Sequence, residues 1–189
     1  MTDRLTPDQH IHLWDTFRGG SRDAFTQVYD LFAADLYRYG YNLVRNRQVV
    51  EDCLHELFLH LHESRSRLGA TDNIRFYLYR ALRRRLLDTI ARLNKLDSVE
   101  YLFTNAEFSI QSYEQTLVEE QLVEQQKLLI TAHLNKLPKR QKEILYLVYM
   151  KGLTYQQVSE VMDIAMKTVY NTVNIALTTL RTYARESFG

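Results

Sequence analysis

An all-α chain of two small helical domains is what this sequence predicts, and three observations predict it. Apolar residues recur at 3.6-residue spacing through most of its length. Only two prolines and six glycines interrupt its 189 residues. The stretch LTYQQVSEVMDIAMKTVYNTVNIALTTLR, from Leu153 to Arg181, also has the ordered parts of a helix-turn-helix.

The elements follow in order. Thr6 to Phe17 reads as a first helix, stopped at Gly19-Gly20. Ser21 is suited to cap a long second helix. Its inward row runs Ala24, Phe25, Val28, Tyr29, Phe32, Leu36 and Tyr39. A third helix spans about Gln48 to His62 and a fourth Asn73 to Arg92, with the loop Ser64 to Asp72 between them. Periodicity weakens after Lys95, so residues 1–95 are read as the first domain and 96–112 as a linker. Helices resume near Tyr113 and continue to Asn135, within a second domain at 113–189. Leu137-Pro138 opens the next helix, since proline fits a first helical turn.

The closing helix-turn-helix can be justified residue by residue. Thr154 and Gln157 form a capping box, each side chain serving the other's backbone N–H. Val158, Val161 and Met162 point inward, and Ser159 is small where a second helix crosses closely. Asp163 takes the turn, where Asp tolerates the left-handed conformation. Ile164 plugs the corner, and Val169, Val173, Ala176, Leu177 and Leu180 form the buried row beyond it. The opposite face holds Lys167, Asn171, Asn174 and Thr178, groups able to hydrogen-bond base edges and phosphates in a major groove. A plain helical hairpin with a solvated face would need fewer of these features together.

Composition bounds the rest. An apolar fraction of 46% and a charged fraction of 25% are those of an ordinary globular protein. A single cysteine, Cys53, permits no internal disulfide and fits a reducing compartment. No apolar run is long enough for a membrane span and no secretory signal core is seen, so a cytoplasmic protein is expected. The net charge of +1 conceals a pattern. Residues 1–64 sum to −4, 65–96 to +7, 97–126 to −7 and 127–189 to +5. Two basic blocks flanking an acidic one suggest two nucleic-acid-facing modules and an acidic connector.

Two helix faces in the first domain stand out. On the third helix, Val50, Cys53, Leu54, Leu57, Phe58 and Leu61 make the core stripe. Asp52, His55, Glu56 and Glu63 project from the other side with Leu59 among them. An apolar residue centred on an acidic surface fits a protein-docking face, and a lone exposed leucine is equally common. His55 and His62 share that face without a third ligand at suitable spacing, so no metal is expected. The fourth helix buries Phe76, Leu78, Tyr79, Leu82, Leu86 and Ile90, against Tyr77, Arg80 and Arg84, with Arg83 and Arg85 at the edges. Arginines neutralise phosphates and aromatic rings give unpaired bases a platform, so this side suits melted DNA. A basic solvated helix, with Arg84 and Asp88 paired, is the plainer reading.

The chain resembles RNA polymerase sigma factors of the sigma-70 family, in the small extracytoplasmic-function group. GSRDAFTQVYDLFAADLYRYG resembles the start of that family's second domain, VVEDCLHELFLHLHESR its polymerase-binding helix, and YLYRALRRRLLD its −10-element helix. LPKRQKEILYLVYMKGLTYQQVSEVMDIAMKTVYNTVNIALTTLR resembles its fourth domain. The resemblance implies that Asp52, His55, Glu56 and Leu59 meet core RNA polymerase. Arg67, Asn73, Tyr77, Arg80, Arg83 and Arg84 would take the non-template strand of the −10 element, where capture of a flipped base helps open promoter DNA. Lys167, Thr168, Tyr170, Asn171 and Asn174 would face the −35 duplex, with Arg181 near its backbone. The acidic stretch Asp97 to Glu124 would thread toward the RNA exit path. An anti-sigma factor is a further expected partner, and the free chain is expected to be a monomer without cofactor. The resemblance leads to the expectation that the autoinhibitory region and third domain of larger sigma factors are missing.

The chain departs from the family pattern in places. Arg84 stands where Asn is usual, Ala165 replaces the usual Ser or Thr helix cap, and Asp163 stands in for the common glycine. No phosphate loop, nucleophile elbow or carboxylate pair points to an enzyme. The rival reading is a stand-alone helix-turn-helix regulator with a dimerising or sensing N-terminal bundle. It predicts tight binding to palindromic operators without polymerase.

Overall fold

A computed structural model describes residues 5–96 and 131–188. They form two compact units, one on each side of the intervening segment. Among the described residues the secondary structure is entirely helical. The expected linker, and most of the helix expected from Tyr113, lie outside these residues.

In the first unit each helix begins on a side chain chosen for the task. Thr6 and Gln9 make a reciprocal capping box at the start of α1 (Pro7–Arg18), which places proline in its first turn. Ser21 accepts the Ala24 N–H to open α2 (Arg22–Val44). Arg45 then turns left-handed at φ 55°, and Asn46 caps α3 (Arg47–Ser64) through the Val49 N–H. That two-residue corner folds α3 back beside α2. A single 3₁₀ turn, Arg65–Arg67, leads into a loop, and α4 runs Ile74–Leu96.

The core lies where the four helices meet. Trp14, Phe17, Phe32, Leu36, Leu57, Leu61, Ile74, Leu78, Tyr79, Leu82 and Leu86 are all sealed from solvent. Each such side chain contributes about 1.5–3 kcal/mol of burial. Gly40 permits the tightest approach: a Cβ there would lie 2.9 Å from Val50 Cγ1 and 3.3 Å from Leu86 Cδ1. Tyr29 departs from the predicted inner row of α2. It is 47% exposed, its ring turned onto the edge of Phe58 at 4.8 Å, because it lines an open cleft between α2 and α3. Ile90 is likewise only partly covered.

The second unit starts in helix α5 at residues 131–136. Pro138 stands at the cap rather than inside the first turn of α6 (Lys139–Leu145). Buried Lys142 sends its ammonium back to the Asn135 carbonyl, 2.9 Å away, satisfying the end of α5. The chain then widens into a π-helical turn, Tyr146–Met150, which the helical periodicity did not indicate. This turn buries Leu147 and leaves Tyr149 and Met150 facing solvent. The helix-turn-helix follows as α7 (Tyr155–Met162) and α8 (Met166–Phe188).

Candidate nucleic-acid and polymerase interfaces

The helix-turn-helix is built as its residues foretell. Both halves of the Thr154–Gln157 capping box form, at 3.0 and 3.2 Å. Asp163 takes the left-handed conformation at φ 52°, ψ 54°, and the Ile164 N–H closes on the Ser159 carbonyl. Val158, Val161 and Met162 of α7 and Val169, Val173 and Ala176 of α8 are buried. Leu177 and Leu180 are only partly covered. This seating turns Lys167, Tyr170, Asn171, Asn174 and Arg181 to solvent, with Thr168 at the margin. Four of the five exposed candidates are polar or cationic.

Tyr170 has a neighbour that the periodicity does not reveal. The ring of Tyr155 meets it edge-on at 5.5 Å. Burial raises the Tyr155 hydroxyl pKa, helped by the charge and hydrogen bond of Tyr149. Three tyrosines from the π-turn, α7 and α8 thus gather beside the first turns of the exposed face. The abundance of tyrosine is visible in the sequence, whereas this convergence depends on the fold.

In the first unit, Arg80 and Arg84 stand exposed one turn apart along α4, while Arg83 is partly covered. Arg84 reaches Asp88 at 3.9 Å, the intrahelical pair expected of a solvated face. Arg67 is exposed on the 3₁₀ turn. Two predicted members sit differently. The Asn73 side-chain oxygen accepts the Phe76 N–H at 2.9 Å, so it caps α4 as well as edging the loop. Tyr77 is not set against solvent like the arginines: its ring tilts onto Trp14, centroids 5.0 Å apart, and burial raises its hydroxyl pKa. The cause is α1, which covers a flank that would be open on α4 alone. Phe76 is correspondingly less buried than its predicted place in the core row.

On α3 the predicted face is present as a surface. Asp52, His55, Glu56 and Leu59 are all exposed, Leu59 by 48%. Asp52 accepts a hydrogen bond from Gln48 at 3.0 Å. A cleft of about 530 Å³ opens beside them between α2 and α3, lined by Tyr29, Ala33, Tyr37, Leu54, His55 and Phe58. Among the described residues no three His, Cys, Asp or Glu side chains are grouped to hold a metal ion. No helix among them is long and apolar enough to cross a membrane.

Comparison with known proteins places this architecture. The family description Sigma-70 region 2 matches residues 28–96, which hold most of α2 and all of α3 and α4. Sigma-70, region 4 matches residues 127–180, which hold α6, α7 and most of α8. The chain therefore belongs to the sigma-70 family.

Within that family it is a sigma factor of the extracytoplasmic-function (ECF) group. It is 25% identical over 149 residues to the ECF RNA polymerase sigma factor SigM of Bacillus subtilis strain 168, covering 74% of this chain and 82% of SigM. Its fold is similar to that of CnrH, solved in complex with the cytosolic domain of CnrY. The TM-score is 0.57 at 14% identity, covering 94% of this chain and 97% of CnrH. The sigma factor RpoE, solved with the anti-sigma factor NepR from Bartonella quintana, gives a TM-score of 0.60 at 16% identity. That likeness covers 85% of this chain and 96% of RpoE.

Proposed function

We propose that this sigma factor binds core RNA polymerase through the exposed face of α3 and starts transcription at promoters read by both units. The −35 element is read as duplex by Lys167, Thr168, Tyr170, Asn171 and Asn174 on α8, with Arg181 on its backbone. The −10 element is held as a melted strand by α4 and its preceding loop, through Arg67, Asn73, Tyr77, Arg80, Arg83 and Arg84. Asp52, His55, Glu56 and Leu59 dock on polymerase. The observation that carries this reading is the open polar stripe of α8, held on a packed helix-turn-helix whose first helix, α7, is capped at both ends. A helix presented that way fits a major groove and reads base edges with amides and a cation.

The basic face of α4 supplies a second, chemically different surface. Arginines beside an aromatic ring favour a single strand over a rigid duplex, because stacking needs an unpaired base. An acidic face centred on exposed Leu59 suits a basic protein surface. We extend the reading to an anti-sigma factor that covers these same faces, since RpoE, which has a similar fold, was solved with the anti-sigma factor NepR. The protein acts by binding, without a catalytic step of its own.

Run-off transcription with purified core polymerase tests the proposal. The expected result is new transcripts from defined starts only when this protein is added, lost on Asp52→Arg and reduced on Asn171→Ala. Absence of core binding and initiation, with tight dimeric binding to a palindrome, would establish the stand-alone regulator instead.

A further inference from the structure

The loop between α3 and α4 is anchored at both ends by side chains of the core. Leu68 is 9% exposed and Ile74 fully buried, while Gly69, Ala70 and Asp72 face solvent. The middle of this loop is tied to a distant helix. Trp14 of α1 donates its indole N–H to the Gly69 carbonyl at 2.8 Å, across 55 residues of sequence. The same indole is fully buried and stacks at a tilt on Tyr77, with Phe17 behind it at 5.4 Å. One side chain therefore fixes both the backbone of the loop and the ring at the start of the arginine face. α1 precedes residues 28–96, the span that matches the family description.

We propose that Trp14 is a positioning residue for single-stranded DNA. It holds the loop at 68–73 and the Tyr77 ring in the arrangement that receives an unpaired base beside Arg80 and Arg84. The inference rests on the reading of α4 as the surface for melted DNA, and adds α1 to that machinery. An indole suits the role because its donor must be satisfied when buried, while its faces pack like a hydrocarbon. Without the tether the loop keeps its anchored ends but samples more shapes between them, so binding must first select one.

The test uses holoenzyme reconstituted with Trp14→Phe, which keeps an aromatic ring and loses the donor. The probe is a labelled non-template oligonucleotide from upstream of a start site mapped by run-off transcription. One hydrogen bond of this kind corresponds to about a three- to tenfold loss of single-strand affinity. Affinity for core polymerase and for −35 duplex is expected to stay unchanged. Trypsin cleavage after exposed Arg67 is expected to speed up at unchanged cooperative unfolding. Wild-type binding of the oligonucleotide by Trp14→Phe, with binding lost in Arg80→Glu/Arg84→Glu, would overturn the role of Trp14 and leave the α4 surface standing. Wild-type binding by both variants would remove the α4 reading itself. If Trp14→Phe fails to fold, the wild-type protein decides, because Trp14 is its single tryptophan. A base seated on Tyr77, whose ring lies 5.0 Å from the indole, is expected to quench Trp14 fluorescence when the free chain is saturated with the oligonucleotide. Unquenched emission at saturation would overturn the proposal.

Discussion

Arg85 on α4 reaches Glu56 on α3, placing a guanidinium nitrogen 3.6 Å from a carboxylate oxygen. The pair joins the helix assigned to DNA to the helix assigned to polymerase. The Glu56 side chain is 57% exposed, so water screens it and its contribution to stability is at most about 1 kcal/mol. Glu56→Ala should therefore melt almost as the parent does. Its affinity for core polymerase should nevertheless fall, and Glu56→Arg should lower it at least about tenfold by placing like charge against a basic partner. Equal loss of stability and binding in Glu56→Ala would mean that the residue serves the fold rather than the interface.

Gly40 makes a sharper statement about packing. The methyl of Gly40→Ala would lie 2.9 Å from Val50 Cγ1, and Val50 is itself fully buried. Alanine in place of glycine within a helix gains about 1 kcal/mol of propensity. Overpacking costs about 1–3 kcal/mol and should win, because Val50 has nowhere to retreat. Urea denaturation should show net destabilisation. Combining Gly40→Ala with Val50→Ala should cost less than the two single changes added together, since the second change removes the obstacle. Simple additivity would place the helix crossing elsewhere.

Much of this was readable without coordinates, for identifiable reasons. Thr6, Ser21 and Asn73 were legible as starts of the first, second and fourth helices because capping signals are local, and each caps its helix, whereas the Asn46 cap of α3 went unread. Asp163 likewise announces the turn of the helix-turn-helix by its own conformational tolerance. What escaped depends on neighbours distant in sequence. Tyr77 belongs by spacing with the arginines, yet α1 brings Trp14 against it. Tyr29 fits the apolar period of α2, but it lines an open cleft and stays half exposed against Phe58. The π-turn at Tyr146–Met150 is invisible because its sequence, YLVYM, also suits an ordinary helix. The candidate faces on α3 and α8 were legible because solvent-facing polarity is periodic. The Trp14 tether was not, since nothing in the period of α1 names Gly69.

Cys53 gives a probe of the first unit. It is 2% exposed, its thiol lies 3.5 Å from the Thr89 hydroxyl, and burial raises its pKa above the ordinary thiol range. The folded chain should resist a thiol reagent at pH 8 and become labelled once per chain at the rate of opening. The pH dependence follows from the direction of that shift. Below about pH 7 the thiol is protonated in folded and unfolded chains alike. Between the unfolded value and the higher folded one, the unfolded chain releases its proton first. Stability then falls with rising pH by up to about 1.4 kcal/mol per pH unit. Cys53→Ala should remove that portion of the alkaline slope. Rapid labelling of the native chain would show that the thiol is open to solvent.

Ala165 leaves a correctable weakness at the start of α8. Its carbonyl accepts the Thr168 and Val169 N–H groups at 2.8 and 3.2 Å, which places it at the cap position. Alanine has no side-chain oxygen to receive the early N–H groups, whereas Thr154 serves that purpose on α7. Ala165→Ser should stabilise the helix-turn-helix unit by about 1 kcal/mol. For a unit of this size, that corresponds to a rise in Tm of about 4–8 °C, readable by far-ultraviolet circular dichroism. Ala165→Gly should recover most of the same gain, because glycine is also a good capping residue and leaves the early N–H groups open to water. A fall in Tm with serine would mean that the early N–H groups of α8 already have partners, and that the capping deficit does not exist.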